Sequence, residues 1–227
     1  MRSLLLVFLT LLAAGCATSA QRYSAQPTTG TVVDESTKEP VAGAVVVAEW
    51  ILEGGMERSE VGTFKVAEVV SDKTGHFDIP GWGPEPVPRE GVLDKFDPVI
   101  RILKPGYAPK SFVNEPFGKI GERARGQDHS WLSKGETFEI ARFVGSPGQY
   151  LEKWEGLSLL LSNVLDNGSR CDWKRIPKTI RILEDQGRQA RAHGLRPMFL
   201  DISVKRLLER KQCAPFDDFV RAYSEVD

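Results

Sequence analysis

Two short blocks constrain this chain more than any other feature. In the first, Gly30-Thr31-Val32-Val33-Asp34 is β-prone, Asp34 to Pro40 is a polar turn, and Val41 to Trp50 is a run of small and β-branched residues. Val45 and Val47 alternate with Ala44, Val46 and Ala48, so both faces are apolar until Glu49, which predicts a strand packed on both sides. In the second block, Ser71-Asp72-Lys73-Thr74-Gly75-His76-Phe77, a glycine ends a tight turn and an aromatic follows two residues later. Each residue type has a structural task. Asp34 and Thr37 can bond the backbone of the loop after the first strand, and Pro40 fixes the entry to the second. Gly43 admits positive φ or a close backbone approach, and Ala44 packs where two sheets meet. Asp72 and Gly75 close a hairpin, with Phe77 as the core plug behind it.

Further strands are predicted at Thr63–Ser71, His76–Ile79, Asp97–Leu103, Lys110–Val113 and Gly135–Arg142. Pro80–Pro88, with four prolines and two glycines, reads as irregular. Glu115–Lys134 reads as a long exposed excursion. After Ser146-Pro147-Gly148 the period changes. Leu151, Trp154, Leu157, Leu161, Val164 and Leu165 form one helical stripe. Pro177 opens a second helix that Gly194 stops, Asp201 is placed to cap a third, and Phe216 to Tyr223 forms a fourth. The predicted organisation is a signal segment at 1–15, a flexible tether at 16–28, a β domain at 29–145 and a helical segment at 149–227.

The N-terminus gives location. Arg2 precedes an apolar run from Leu4 to Ala14, too short to span a bilayer, and Ala13-Ala14-Gly15-Cys16 follows. Small residues before a cysteine resemble the lipobox of bacterial lipoproteins. That resemblance implies cleavage before Cys16 and acylation of its new N-terminus; a secretory signal cut after Ala20 would instead discard Cys16. In a Gram-negative host, Ala17 after the cysteine implies sorting to the outer membrane, facing the periplasm. Several acyl chains on one residue make such anchoring stable.

The two opening blocks, together with Lys104-Pro105-Gly106-Tyr107, resemble carboxypeptidase regulatory-like domains in content and order, over about half of the chain. The resemblance implies a β-sandwich of transthyretin-like type with about seven strands. Relatives are often joined to a zinc carboxypeptidase whose metal site resembles H-x-x-E. Here His76, His129 and His193 are each followed at +3 by a residue other than Glu, so the catalytic half is absent. On this reading the chain is not an enzyme, and no metal or cofactor is expected. Ser158, Ser162 and Ser169 lack a G-x-S-x-G setting, which agrees.

The remaining cysteines, Cys171 and Cys213, are even in number outside the cytoplasm, which favours a disulfide over two buried thiols. Trp82 and Trp131 lie in Pro/Gly-rich and Gly-rich segments, and are candidates either for ligand contact or for a hydrophobic lid over the core. Formal net charge is −1, and basic residues do not cluster, so no nucleic-acid partner is expected. Two functional readings follow. One is a non-catalytic, lipid-anchored envelope protein whose β-sandwich serves protein contact or structural support. The alternative is a periplasmic or outer-membrane module that binds glycan or peptide.

Overall fold

The computed structural model describes residues 22–57, 59–89, 91–93, 97–114, 131, 135–166, 171–200 and 202–225. These form a mainly β-sheet structure followed by helices. The strands are β1 (Arg22–Ala25), β2 (Thr28–Asp34), β3 (Val45–Gly54), β4 (Ser59–Val70), β5 (His76–Ile79), β6 (Trp82–Pro86), β7 (Val92–Leu93), β8 (Val99–Leu103), β9 (Lys110–Phe112) and β10 (Glu136–Ile140). One sheet has the order β10-β2-β5, with β10 parallel to β2; a larger one runs β4-β3-β8-β9, with β7 also on β3; β1 and β6 form a ribbon.

The both-sided apolar pattern of β3 has a direct cause. Successive strand residues point to opposite faces. Val46, Ala48, Trp50 and Leu52 join a core with Val32, Phe77, Ile100, Ile102, Phe138 and Ile140, drawn from both larger sheets. Val45 and Val47, together with Val66 and Leu103, join a second core with helical Trp154, Leu161, Trp173, Ile180, Leu183 and Phe219. The helices thus cover the other face of the larger sheet.

Two expectations are corrected here. Arg22–Ala25, assigned to the tether, is a strand whose Tyr23 and Ala25 are buried in the first core. Trp82–Pro86, assigned to irregular structure, is its partner, with Tyr23 opposite Glu85 and Ala25 opposite Trp82. A two-stranded ribbon uses one hydrogen-bonding edge of each strand, so the missing N–H groups of Pro84 and Pro86 are tolerated there.

The turn chemistry follows the sequence reading closely. Asp34 Oδ1 accepts the N–H groups of Ser36 and Thr37 at 3.0 and 3.1 Å. Its Oδ2 accepts the Tyr107 hydroxyl at 3.1 Å and Arg142 Nε at 2.9 Å, tying the loop to distant parts of the chain. The Thr37 N–H, helped by Ser36, Tyr107 and Arg142, holds this carboxyl below its ordinary value of 3.8 against the opposing effect of burial. A depressed carboxyl stabilises the fold above its unfolded value and loses that contribution as pH falls through its folded value. The gap in melting temperature between wild type and Asp34→Asn should therefore be full near neutrality and close as pH drops below about 3.8. A gap that is independent of pH would count against this role.

Gly75 and Gly43 both have positive φ, at +75° and +66°. A Cβ on Gly75 would lie 2.4 Å from the Val32 carbonyl oxygen, whereas on Gly43 it would meet only Lys104 Nζ, at 3.0 Å. The close backbone approach considered for Gly43 thus belongs to Gly75. Gly75→Ala is expected to lose about 2–3 kcal/mol and Gly43→Ala about 1 kcal/mol, because a lysine tip can move and a strand carbonyl cannot. Urea denaturation of the two variants should rank them in that order.

The helices are α1 (Pro147–Leu160), α2 (Ser162–Asp166), α3 (Pro177–Ala192), α4 (Val204–Leu208) and α5 (Asp217–Ser224). Ser146 and Gln149 make a reciprocal capping box at the start of α1, with Pro147 just inside. Ser203 caps α4, accepting from Arg206 N–H at 3.4 Å; the Asp201 cap lies outside the described residues. The start of α3 takes no side-chain cap from its own N-cap residue. Instead Glu68 of β4 accepts the N–H groups of Lys178 and Thr179 at 3.0 and 2.7 Å. Burial pushes this carboxyl up, while the helix N-terminus favours its charge. Cys171 and Cys213 form a disulfide, 42 residues apart in sequence with Cα atoms 5.6 Å apart. Lys174 Nζ steadies it, donating to the carbonyls of Cys213 and Pro215 at 2.7 and 2.6 Å.

Candidate functional site

Cys16 lies outside the described residues. The two tryptophans lie in different places. Trp82 is half-buried and packs edge-on against Trp50 and Phe64, with ring centroids 5.4 Å away in each case. Trp131 is buried, its ring 5.6 Å from that of Phe138, and its indole N–H donates to Glu136 at 2.6 Å. Trp131 belongs to the first core, and Trp82 packs against it.

Two concave surfaces lie on the helical layer. A groove of about 430 Å³ runs between the α1–α2 junction and the segment from Met198 to Arg210. Ser158 Oγ donates to the Phe199 carbonyl at 2.7 Å, and Glu155 accepts the N–H groups of Met198 and Phe199. These bonds pin the 198–199 backbone while its side chains stay outside. Met198 is 74% exposed and Phe199 42%, and across the groove Leu159 is 48% exposed. Arg206 and Arg210 also line the groove, the latter donating to the Leu165 carbonyl at 3.1 Å.

A second cleft, of about 210 Å³, lies between α1 and α3. Phe143, Tyr150 and Trp154 line it with rings; Gln186, Gln189 and His193 line it with polar groups. Tyr150 is fixed by its hydroxyl, which accepts the Gly106 N–H at 2.7 Å, and its ring packs on Phe143 at 4.7 Å.

The sequence reading named none of these residues as a site. The available signal was Leu159, an apolar residue off the core stripe of α1. In α3, Gln186, Gln189 and His193 recur at helical spacing on one face. Among the described residues no three His, Cys, Asp or Glu side chains group as metal ligands. No described helix is long and apolar enough to cross a membrane.

No family model matches the chain, and no curated protein matches it. Solved structures resemble part of it. The 3-chlorocatechol 1,2-dioxygenase of Rhodococcus opacus is 13% identical over 56% of this chain and 62% of its own, with a TM-score of 0.32. A streptococcal ancillary pilin is 14% identical over 53% of this chain and 30% of its own, at 0.27. The plantain pollen allergen Pla l 1 is 14% identical over 56% of this chain and 98% of its own, at 0.28. The chain spans less than two thirds of the length of the dioxygenase and of the pilin. The expectation that the chain is not an enzyme is corrected at this point. Catechol and hydroxyquinol dioxygenases are among the structures it partly resembles; the missing H-x-x-E removes carboxypeptidase chemistry alone and does not decide whether the chain is an enzyme. At TM-scores of 0.27–0.32 these likenesses assign no reaction to it.

Proposed function

We propose that this chain is a lipid-anchored protein of the cell envelope, acylated at Cys16, that engages a protein partner through its helical layer. Its frame is read as a transthyretin-like β-sandwich of the carboxypeptidase regulatory-like type. The Ala13-Ala14-Gly15-Cys16 sequence supports the anchor, and the motif blocks around Asp34, Gly75 and Tyr107 support the frame. The observation that carries the contact role is the exposed apolar surface of Leu159, Met198 and Phe199, on a backbone held by Ser158 and Glu155. Clustered exposed apolar side chains rimmed by polar groups mark interaction surfaces. With Arg206 and Arg210 in the same groove, the partner segment is apolar with an acidic flank.

Native mass spectrometry of the N-terminus checks the anchor: an acylated Cys16 is expected, and an unmodified Gln21 terminus would end that part of the reading. A photocrosslinking residue at position 198, in growing cells, checks the surface. It should give one discrete envelope-protein adduct that Leu159→Glu abolishes. Absence of an adduct, or one unaffected by Leu159→Glu, overturns the contact role.

A further inference from the structure

We propose that the cleft between α1 and α3 binds a single neutral sugar ring. This inference is independent of the contact surface, because the two concavities share no lining residue.

The cleft has two chemically distinct sides. One is aromatic: Phe143 and Tyr150 pack at 4.7 Å, and Tyr150 meets Trp154 edge-on at 6.0 Å. The other is a polar row on α3, where Gln186, Gln189 and His193 follow one another at intervals that keep them on one face. One polar side chain is sunk in the wall: Gln186 lines the cleft and is 5% exposed. Stripping water from its amide without replacing the hydrogen bonds costs free energy that a bound hydroxyl would recover.

These features select the ligand by chemistry. No carboxylate, ammonium or guanidinium group lines the cleft, so it offers no permanent counter-charge to an ion. A purely apolar ligand, such as an acyl chain, would leave the Gln186 amide desolvated and unpaired. A volume of about 210 Å³ lies below the range that holds drug-sized ligands, which excludes an extended peptide and admits one ring. A pyranose meets the remaining terms. Its C–H face packs on the Tyr150 and Phe143 rings, while its hydroxyls both donate to and accept from side-chain amides, which carry both functions. Tyr150 is held in place by the Gly106 N–H, so the aromatic side is formed before binding.

The test uses the full mature chain with Cys16→Ser, titrated calorimetrically with N-acetylglucosamine, glucose and galactose, and with a proline-rich decapeptide. Saturable binding of at least one sugar is expected, weakened roughly tenfold by Gln189→Ala and by His193→Ala. Both residues are exposed at the rim, so these variants should melt as wild type does. Gln186→Leu should weaken binding further, and the two rim variants decide the matter if it does not fold. The proposal is overturned if no sugar binds saturably, if Gln189→Ala and His193→Ala leave the affinity unchanged, or if the decapeptide displaces bound sugar.

Discussion

Replacing Arg101 with methionine is expected to cost about 3–5 kcal/mol, whereas replacing both Arg101 and Glu49 with methionine should cost clearly less. Both side chains are buried in the larger sheet, with Arg101 donating to Glu49 Oε2 at 2.6 Å. Thr63 Oγ1 donates to the other carboxylate oxygen at 2.5 Å. Burial pushes the Glu49 carboxyl up, and the Arg101 charge and the Thr63 hydroxyl oppose that push. Taking away the guanidinium leaves a carboxylate with no counter-ion in a place water does not reach. Taking away both groups removes the desolvation problem, including that of Arg101 Nε, which meets no hydrogen-bond partner. The single variant should also be pH-dependent. Its Glu49 pKa rises further in the folded state, so its stability falls as pH increases from the ordinary carboxylate value of 4.5. Urea denaturation of the two single variants and the double variant gives the coupling. Strictly additive losses would show that the two charges do not interact in solution.

Phe77→Ala is expected to cost about 3–5 kcal/mol. The ring is buried and lies 5.3 Å from Phe138, which in turn packs on Phe112 at 5.0 Å and on Trp131. The space is tight as well as apolar. A Cβ on Gly30 would lie 2.7 Å from Phe77 Cζ and 2.6 Å from Phe138 Cε2. Removing Phe77 therefore opens a cavity among large rings that cannot all shift to fill it, since Phe138 is still held by Phe112 and Trp131. Phe112→Ala, at a half-buried position on the edge strand β9, is the comparison and should lose about half as much. A near-zero loss for Phe77→Ala would remove this ring from the core.

What the sequence alone determined lies within a few residues of its own signal. The Asp34 loop, the Asp72–Gly75 turn, the Ser146-Pro147 helix start and the two-faced apolar run of β3 are each set by steric and hydrogen-bonding preferences of neighbours in the chain. The disulfide was legible as a pairing because only two cysteines follow Cys16. What the tertiary structure decided are choices of partner across the chain. Arg22–Ala25 looked like tether because four polar-flanked residues have no strand signal until β6 supplies an edge. Trp82 and Trp131, which composition placed on exposed loops, are drawn into the core by Trp50, Phe64 and Phe138. The helical segment looked self-contained, yet its apolar stripe and Val45, Val47, Val66 and Leu103 form one core. The cap of α3 is the plainest case. Glu68 and Thr179 are 111 residues apart, and nothing near either residue specifies the other. Both concave surfaces arise the same way, from helices that local periodicity could place in the sequence but not against one another. A hydrogen-bonded turn is decided by its own few dihedrals, whereas burial is decided by whichever surfaces the whole chain brings together.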